Sequence, residues 1–245
     1  MRALELDIKS SNLKIITHCL EDPYKSKENL LREFLAYKLY EFHSEKYFRV
    51  HLVNVKYKTP NEARHRFERY AIILEDVHNM ANRLGGKIYD TFNCSMDKMK
   101  HEDLKINAVY QFMIGNSDWD PVKVRNIKLV QTDSLEKFSV IPYDFDFSGL
   151  VNAHYAIANP NFNLESVRDR VMQCKFESEE ELEKVAELFL NQKETVLDYC
   201  KNFKALPRSS RLDIKEYLNS FYAILENEDL RKSTLMVQEM PMKKN

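Results

Sequence analysis

The chain has 245 residues, 44% of them hydrophobic and 11% aromatic, enough for a sizeable core, and its formal net charge is only −1. Charged residues reach 31% but are interspersed, so no global field exists for nucleic acid or an anionic membrane surface, and no apolar run approaches the length of a membrane span. Cys19, Cys94, Cys174 and Cys200 form no CxxC pair, and the scarce glycines (Gly85, Gly86, Gly115 and Gly149) form no GxGxxG or Walker loop, which argues against a zinc site and a glycine-cradled phosphate.

Met1 to Asp7 lack the apolar core of a signal peptide; with free thiols this makes a reducing, cytoplasmic setting the expectation for an untrimmed chain. Leu13 to Cys19 reads as a strand and Glu21 to Lys27 as a polar loop. Glu28 to His43 predicts an amphipathic helix with Ser26 as N-cap and Leu31, Phe34, Leu35 and Phe42 on its apolar stripe. Glu33 falls in mid-helix, one turn from Leu30 and Tyr37. Tyr47 to Tyr57 alternates with a period of two and pairs, across the turn Thr59 to Glu62, with Phe67 to Glu75. Val77 to Leu84 reads as a helix closed by Gly85-Gly86, and Lys87 to Thr91 as a short strand. Glu102 to Ile114 predicts a strong helix ending at Gly115. Beyond residue 160 the pattern predicts helices over Leu164 to Cys174, Glu179 to Phe203 and Ser210 to Asn227, with Pro207 separating the last two and a frayed tail from Lys232 through the basic end. The strand-rich part hands over to the helical part near Asp76 to Asn82. The expected organisation is therefore α+β, with units at 1–78 and 79–245.

The stretch Phe112 to Gly149 concentrates the chemistry. The runs Ile127 to Val130 and Phe138 to Ile141, joined by the polar turn Gln131 to Ser134, predict a hairpin. Asp118 and Asn126 precede it; Asp144 and Asp146 follow it. Both ends of a hairpin lie on the same side, so these side chains converge. Hard oxygen donors of this kind suit Mg²⁺ or Mn²⁺, which take one or two protein carboxylates and otherwise keep waters or nucleotide phosphates. The remaining Asp can orient or deprotonate an acceptor hydroxyl, the division of labour found in protein-kinase phosphoryl transfer. Asp120 and Asp133 read as turn residues, Trp119 and the Phe145/Phe147 pair as packing groups.

The sequence PYDFDFSG, from Pro142 to Gly149, is similar to the PWDFD motif of the CotH-type atypical kinases, and the order of elements resembles that family and, more distantly, the HipA-like and secretory-pathway kinases. The resemblance spans roughly Leu13 to Tyr155. It implies a protein-kinase-like two-lobed fold with a reduced β-rich N-lobe, Lys14 as the phosphate-pairing lysine, and Glu33 as its helix partner within salt-bridge reach. Phe67 to Gly86 resembles the edge strand and hinge of a nucleotide site, with Glu75 and Val77 at the nucleotide. It further implies Asp118 as the catalytic base and Asn126, Asp144 and Asp146 as metal ligands, with ATP and Mg²⁺ or Mn²⁺ as cofactors and a protein or small-molecule hydroxyl as acceptor. Asn116-Ser117-Asp118 stands where ordinary kinases have HRD, and only thirteen residues precede Lys14 where the family has two strands and a phosphate-covering loop, so either the chain is truncated or its lobe is reduced. Phosphotransfer, a pseudokinase scaffold that binds nucleotide without turnover, and AMP transfer all remain open at this level. Neither nucleic acid nor membrane insertion is expected.

Overall fold

The computed structural model describes residues 14–17, 22–59, 62–132 and 137–237. The opening Met1 to Asp7, Cys19, Asp133 with the hairpin tip, and the basic end lie outside the described residues. The architecture is α+β, with two three-stranded antiparallel sheets and a helical C-terminal part.

The first sheet holds β1 (Lys14–Ile16), β2 (Val50–Thr59) and β3 (Glu62–Leu74) in the order β1-β3-β2, with Ile15 opposite Ile73 and Leu52 opposite Ile72. α1 (Pro23–Tyr40) packs on this sheet. It starts earlier than the apolar periodicity suggested, and Ser26 is not its cap. Asp22 is: its carboxylate accepts the N–H groups of Tyr24 and Lys25 at 2.9 and 3.1 Å, and Pro23 occupies the first turn where a missing N–H does no harm. From Leu30 to Tyr40 the helix is buried almost all round, because it also contacts the helical part. Tyr37 meets Phe145 with ring centroids 4.8 Å apart, Tyr40 meets Tyr110 at 4.8 Å, and Phe34 stacks on Phe203 at 5.9 Å. The Arg32 guanidinium ties it down further, bonding Glu28 on its own helix at 3.0 Å, Asp213 at 2.7 Å and the carbonyl of Leu150 at 3.2 Å.

α2 (Val77–Arg83), capped by Asp76, leads through Gly85 into the second sheet: β4 (Lys87–Tyr89), β5 (Ile127–Gln131) and β6 (Phe138–Pro142), in that order. The expected hairpin is β5-β6, with Leu129 opposite Val140. α3 (His101–Ile114) is buried from Leu104 onward and stops at Gly115, whose φ of 64° ends the helix in the left-handed region.

The C-terminal part departs from the sequence pattern in three places. No helix forms over Leu164 to Cys174. There the Asp169 carboxylate accepts the N–H groups of Glu165 and Ser166 at 2.8 and 2.9 Å, a local turn that competes with helical bonding. The expected helix from Glu179 to Phe203 is two, α4 (Glu179–Asn191) and α5 (Lys193–Asn202). After α6 (Arg208–Glu226), the chain continues as α7 (Glu228–Leu235) instead of fraying at Lys232. Leu235 is fully buried, and Val237 donates its N–H to the carbonyl of Phe176 at 2.9 Å.

One contiguous apolar core runs from Leu30 on α1 to Leu235 on α7. Behind the second sheet, Gly115 and Gly149 meet backbone to backbone, the N–H of Gly149 donating to the Gly115 carbonyl at 3.0 Å. The Tyr217 hydroxyl sits against both: a Cβ on Gly115 would lie 1.9 Å from it and one on Gly149 2.4 Å. Among the described residues no helix is long and apolar enough to cross a membrane.

Candidate functional site

The turn after α3 is fixed by Asn116. This buried side chain donates to the Gln111 side chain at 3.0 Å and accepts the N–H of Asp118 at 3.0 Å. Asp118 is thereby presented with its carboxylate partly open. Arg125 stands 3.4 Å from one oxygen. The Asn126 amide donates to the other at 3.1 Å, and to the Asp118 carbonyl at 2.6 Å. Asp120 does only what a turn residue does, accepting the N–H groups of Val122 and Lys123. Trp119 is buried, as expected of a packing group.

On the far side of the hairpin, Tyr143 donates its N–H to the Asn126 carbonyl at 3.1 Å, joining the two ends. Asp144 follows with φ of 66°, its N–H donating to the Tyr37 hydroxyl at 2.8 Å; Asn126 also has a positive φ, of 55°. Left-handed backbone at non-glycine residues costs energy and persists where the surroundings enforce it, often in functional sites. Phe145 is fully buried against Tyr37 and Tyr110 and anchors the segment between the two aspartates. Asp146 accepts the Tyr155 hydroxyl at 3.0 Å. Burial, and then the charge of Asp144, raise its pKa from the ordinary aspartate value, against the hydrogen bonds from Tyr155 and the Phe147 backbone.

Glu33 reaches this group from α1. It is 5% exposed, its Oε1 has no hydrogen-bond partner, and its pKa is pushed up to about 8, first by burial and then by Asp146 and Asp144, with Lys14 opposing. The charges of Asp144 and Asp146 thus act on Glu33, and those of Asp144 and Asp118 on Asp146, so the four groups share one electrostatic neighbourhood. The expected Lys14–Glu33 salt bridge is not formed. Lys14 instead places its ammonium 5.3 Å above the ring of Tyr143, a favourable cation–π position, while Glu33 lies deep enough to favour its neutral form. Among the described residues no three His, Cys, Asp or Glu side chains are grouped as a ready-made metal centre. The donor set nevertheless suits a hard divalent cation, because Mg²⁺ needs only one or two carboxylates and the orphaned Glu33 oxygen and mutual repulsion are what a cation would relieve.

Beside the carboxylates opens a cavity of about 280 Å³ lined by apolar Phe48, Leu74 and Val77 and by Lys14, Lys128 and Tyr143. Glu75 and Asp76 complete it, but both carboxylates have structural roles. Glu75 binds Arg83 at 2.7 Å and accepts the Arg49 N–H at 3.0 Å; Asp76 caps α2. Lys128 holds its ammonium 5.5 Å from the Tyr143 centroid, so two lysines share that ring. Sequence reasoning missed Lys128 and Tyr143. A strand lysine looks like any solvent-facing one; the available signal was its place two residues after Asn126, between the inward positions Ile127 and Leu129.

No protein-family model matches the chain, and no curated protein matches it.

Proposed function

We propose that the chain is an ATP- and Mg²⁺- or Mn²⁺-dependent phosphotransferase with a reduced, protein-kinase-like two-lobed arrangement of the CotH type, acting on a hydroxyl acceptor. One observation carries the reading: the buried, orphaned Glu33, held toward its neutral form by burial and by the charges of Asp146 and Asp144, stands with those aspartates next to a cavity that holds two lysines and Tyr143, the residue before Asp144. A nucleotide uses both features at once, its base against apolar walls and its phosphates between lysine cations and a carboxylate-bound metal.

In this reading Phe48, Leu74 and Val77 form the walls for the base, with Tyr143 as a polar-edged floor. Lys14 and Lys128 offer point charges to the phosphates. Asp144, with Asp146, holds the divalent ion, which when bound neutralises charge on the phosphate oxygens. Asp118 orients the acceptor hydroxyl and takes its proton, steadied by Asn126 and Arg125. Asn126 serves Asp118 through its amide nitrogen, which leaves its carbonyl oxygen as the group that would face a metal.

A thermal-shift titration with ATP tests this, with and without Mg²⁺ or Mn²⁺. Metal-dependent stabilisation is the expected result, and its absence overturns the reading. The unpaired Lys14 and Glu33 favour a second reading, a nucleotide-binding module without turnover; metal-dependent binding with no transfer to any acceptor selects it. AMP transfer is distinguished by the mass added to the product.

A further inference from the structure

A second cavity, of about 320 Å³, lies between α1 and the segment that follows the aspartates; Glu28, Asn29, Arg32, Asn152, Ala153 and His154 contribute to its lining. Asn29 is 7% exposed, and its Nδ2 has no hydrogen-bond partner. Ser26, one turn earlier on the same stripe, is also buried with an unpartnered hydroxyl. A buried amide donor left unsatisfied costs roughly 1–3 kcal/mol, so the site asks for a hydrogen-bond acceptor.

The charge of the cavity narrows what that acceptor can be. Its one guanidinium, Arg32, is already engaged on all sides by Glu28, Asp213 and the Leu150 carbonyl. Among the described lining residues no guanidinium or ammonium is left over for a phosphate or carboxylate, the His154 imidazole is the one other group that can carry positive charge, and an apolar guest would leave Asn29 unsatisfied. The volume is that of a small-molecule site.

Two connections lead from this cavity to the carboxylates. Along α1, Ser26, Asn29 and Glu33 follow one helical stripe, and each carries an unpartnered buried polar atom. Along the loop, the lining residues His154 and Ala156 flank Tyr155, whose hydroxyl bonds Asp146 at 3.0 Å. The lysine cavity connects to the same carboxylates through Tyr143, immediately before Asp144.

We propose that this second cavity is the acceptor site, and that the acceptor is a small, neutral, polyhydroxylated molecule. The proposal rests on the phosphotransferase reading. The acceptor oxygen forms a bond to the γ-phosphorus as the bond from that phosphorus to the bridging oxygen breaks. ADP leaves with the electron pair, and the hydroxyl proton passes to Asp118.

The test uses the full chain, ¹⁵N-labelled, with glucose, xylose and myo-inositol as probes, and glucose 6-phosphate and a serine-containing peptide as controls. At least one neutral probe should shift the Asn29 side-chain amide and the backbone amides of residues 152–156 in a saturable way. With Mg²⁺-ATP present, that probe should receive labelled phosphate. Asn29→Leu should raise its KM about tenfold, the loss of one hydrogen bond to a buried donor, and leave the Mg²⁺-ATP thermal shift unchanged. Ala156→Leu, which narrows the cavity from the loop side, should do the same. If no neutral probe shifts these amides, or if only the sugar phosphate or the peptide does, the proposal is wrong. A probe that binds here but receives no phosphate while Mg²⁺-ATP is bound removes the acceptor role. Absence of any Mg²⁺-ATP binding overturns the phosphotransferase reading itself and the acceptor role with it, leaving the amide shifts to report only whether the cavity binds polyols.

Discussion

Glu33→Gln isolates the carboxyl whose environment is least like water. The group is 5% exposed and lacks a partner at Oε1, and its pKa moves from 4.5 to about 8 through burial, then through the charges of Asp146 and Asp144, against the pull of Lys14. The folded pKa is raised, so folding favours the protonated form. Stability from this group is complete below pH 4.5 and is lost as pH rises through about 8. The loss accumulates at about 1.4 kcal/mol per pH unit and reaches about 5 kcal/mol, an order-of-magnitude figure. Glutamine keeps the shape and cannot ionise. Urea unfolding of both proteins from pH 5 to 8.5 is the assay, because the titrations they share cancel in the difference. Near pH 5 the two should agree within about 1 kcal/mol, and by pH 8.5 the glutamine variant should be more stable by several. Mg²⁺-ATP should shrink that gap, since a cation among Glu33, Asp144 and Asp146 stabilises the ionised carboxylate. A difference that does not change between pH 5 and 8.5 would refute the placement of Glu33 as a buried, unpaired acid.

Asp144→Asn should abolish the metal-dependent part of ATP stabilisation, read by thermal shift. Asp118→Ala should leave Mg²⁺-ATP binding nearly intact while transfer falls by at least about 10², with Asp120→Ala as the mild control. Lys128→Ala should weaken ATP by about five- to tenfold in calorimetric titration, and less so at high salt, where a point charge is screened. His43 stacks on Phe189 at 4.0 Å with neither ring nitrogen bonded, and burial holds its pKa down at about 3. Its contribution is present above pH 6.5 and is lost as pH falls toward 3, so His43→Phe should flatten the acid limb of the stability curve by up to about 5 kcal/mol.

Where the chain obeys a single local rule, the sequence was sufficient. The β5-β6 hairpin shows as two apolar runs around a polar turn and α3 as an apolar run stopped by Gly115; at the mouth of the hairpin Asn126 bonds Asp118 and Tyr143 bonds Asn126, while no three carboxylates are grouped as a metal centre among the described residues. Legibility ended where a tertiary partner decides the outcome. Leu164 to Cys174 has helical spacing, but Asp169 turns the backbone on itself, and Arg170 is drawn to the carbonyls of Met113 and Tyr217. The start of α1 was hidden because Asp22-Pro23 reads equally well as a loop. The order of Lys14 and Glu33 along the chain brings them to the same site, yet the last few ångströms depend on Tyr143, whose ring competes for the ammonium.

The contact between Gly115 and Gly149 sets how this region can drift over generations. The turn bearing Asp118 and the turn bearing Asp144 and Asp146 are riveted by two backbone hydrogen bonds, Gly149 N–H to the Gly115 carbonyl and Leu150 N–H to the Ile114 carbonyl, and the Tyr217 hydroxyl fills space that a side chain on either glycine would need. That hydroxyl is itself held, donating to the Arg168 carbonyl at 3.0 Å beneath the guanidinium of Arg170, 3.9 Å from the ring. A methyl group on Gly115 must therefore be preceded by loss of the tyrosine hydroxyl, which leaves a hole behind both acidic turns, and one on Gly149 would in addition meet the Arg168 Cα at 2.8 Å and the Val167 carbonyl at 2.9 Å. Positions 115, 149 and 217 form a ratchet: no first step among them is free, so the spacing of the acidic turns should outlast far larger changes on the surrounding helices.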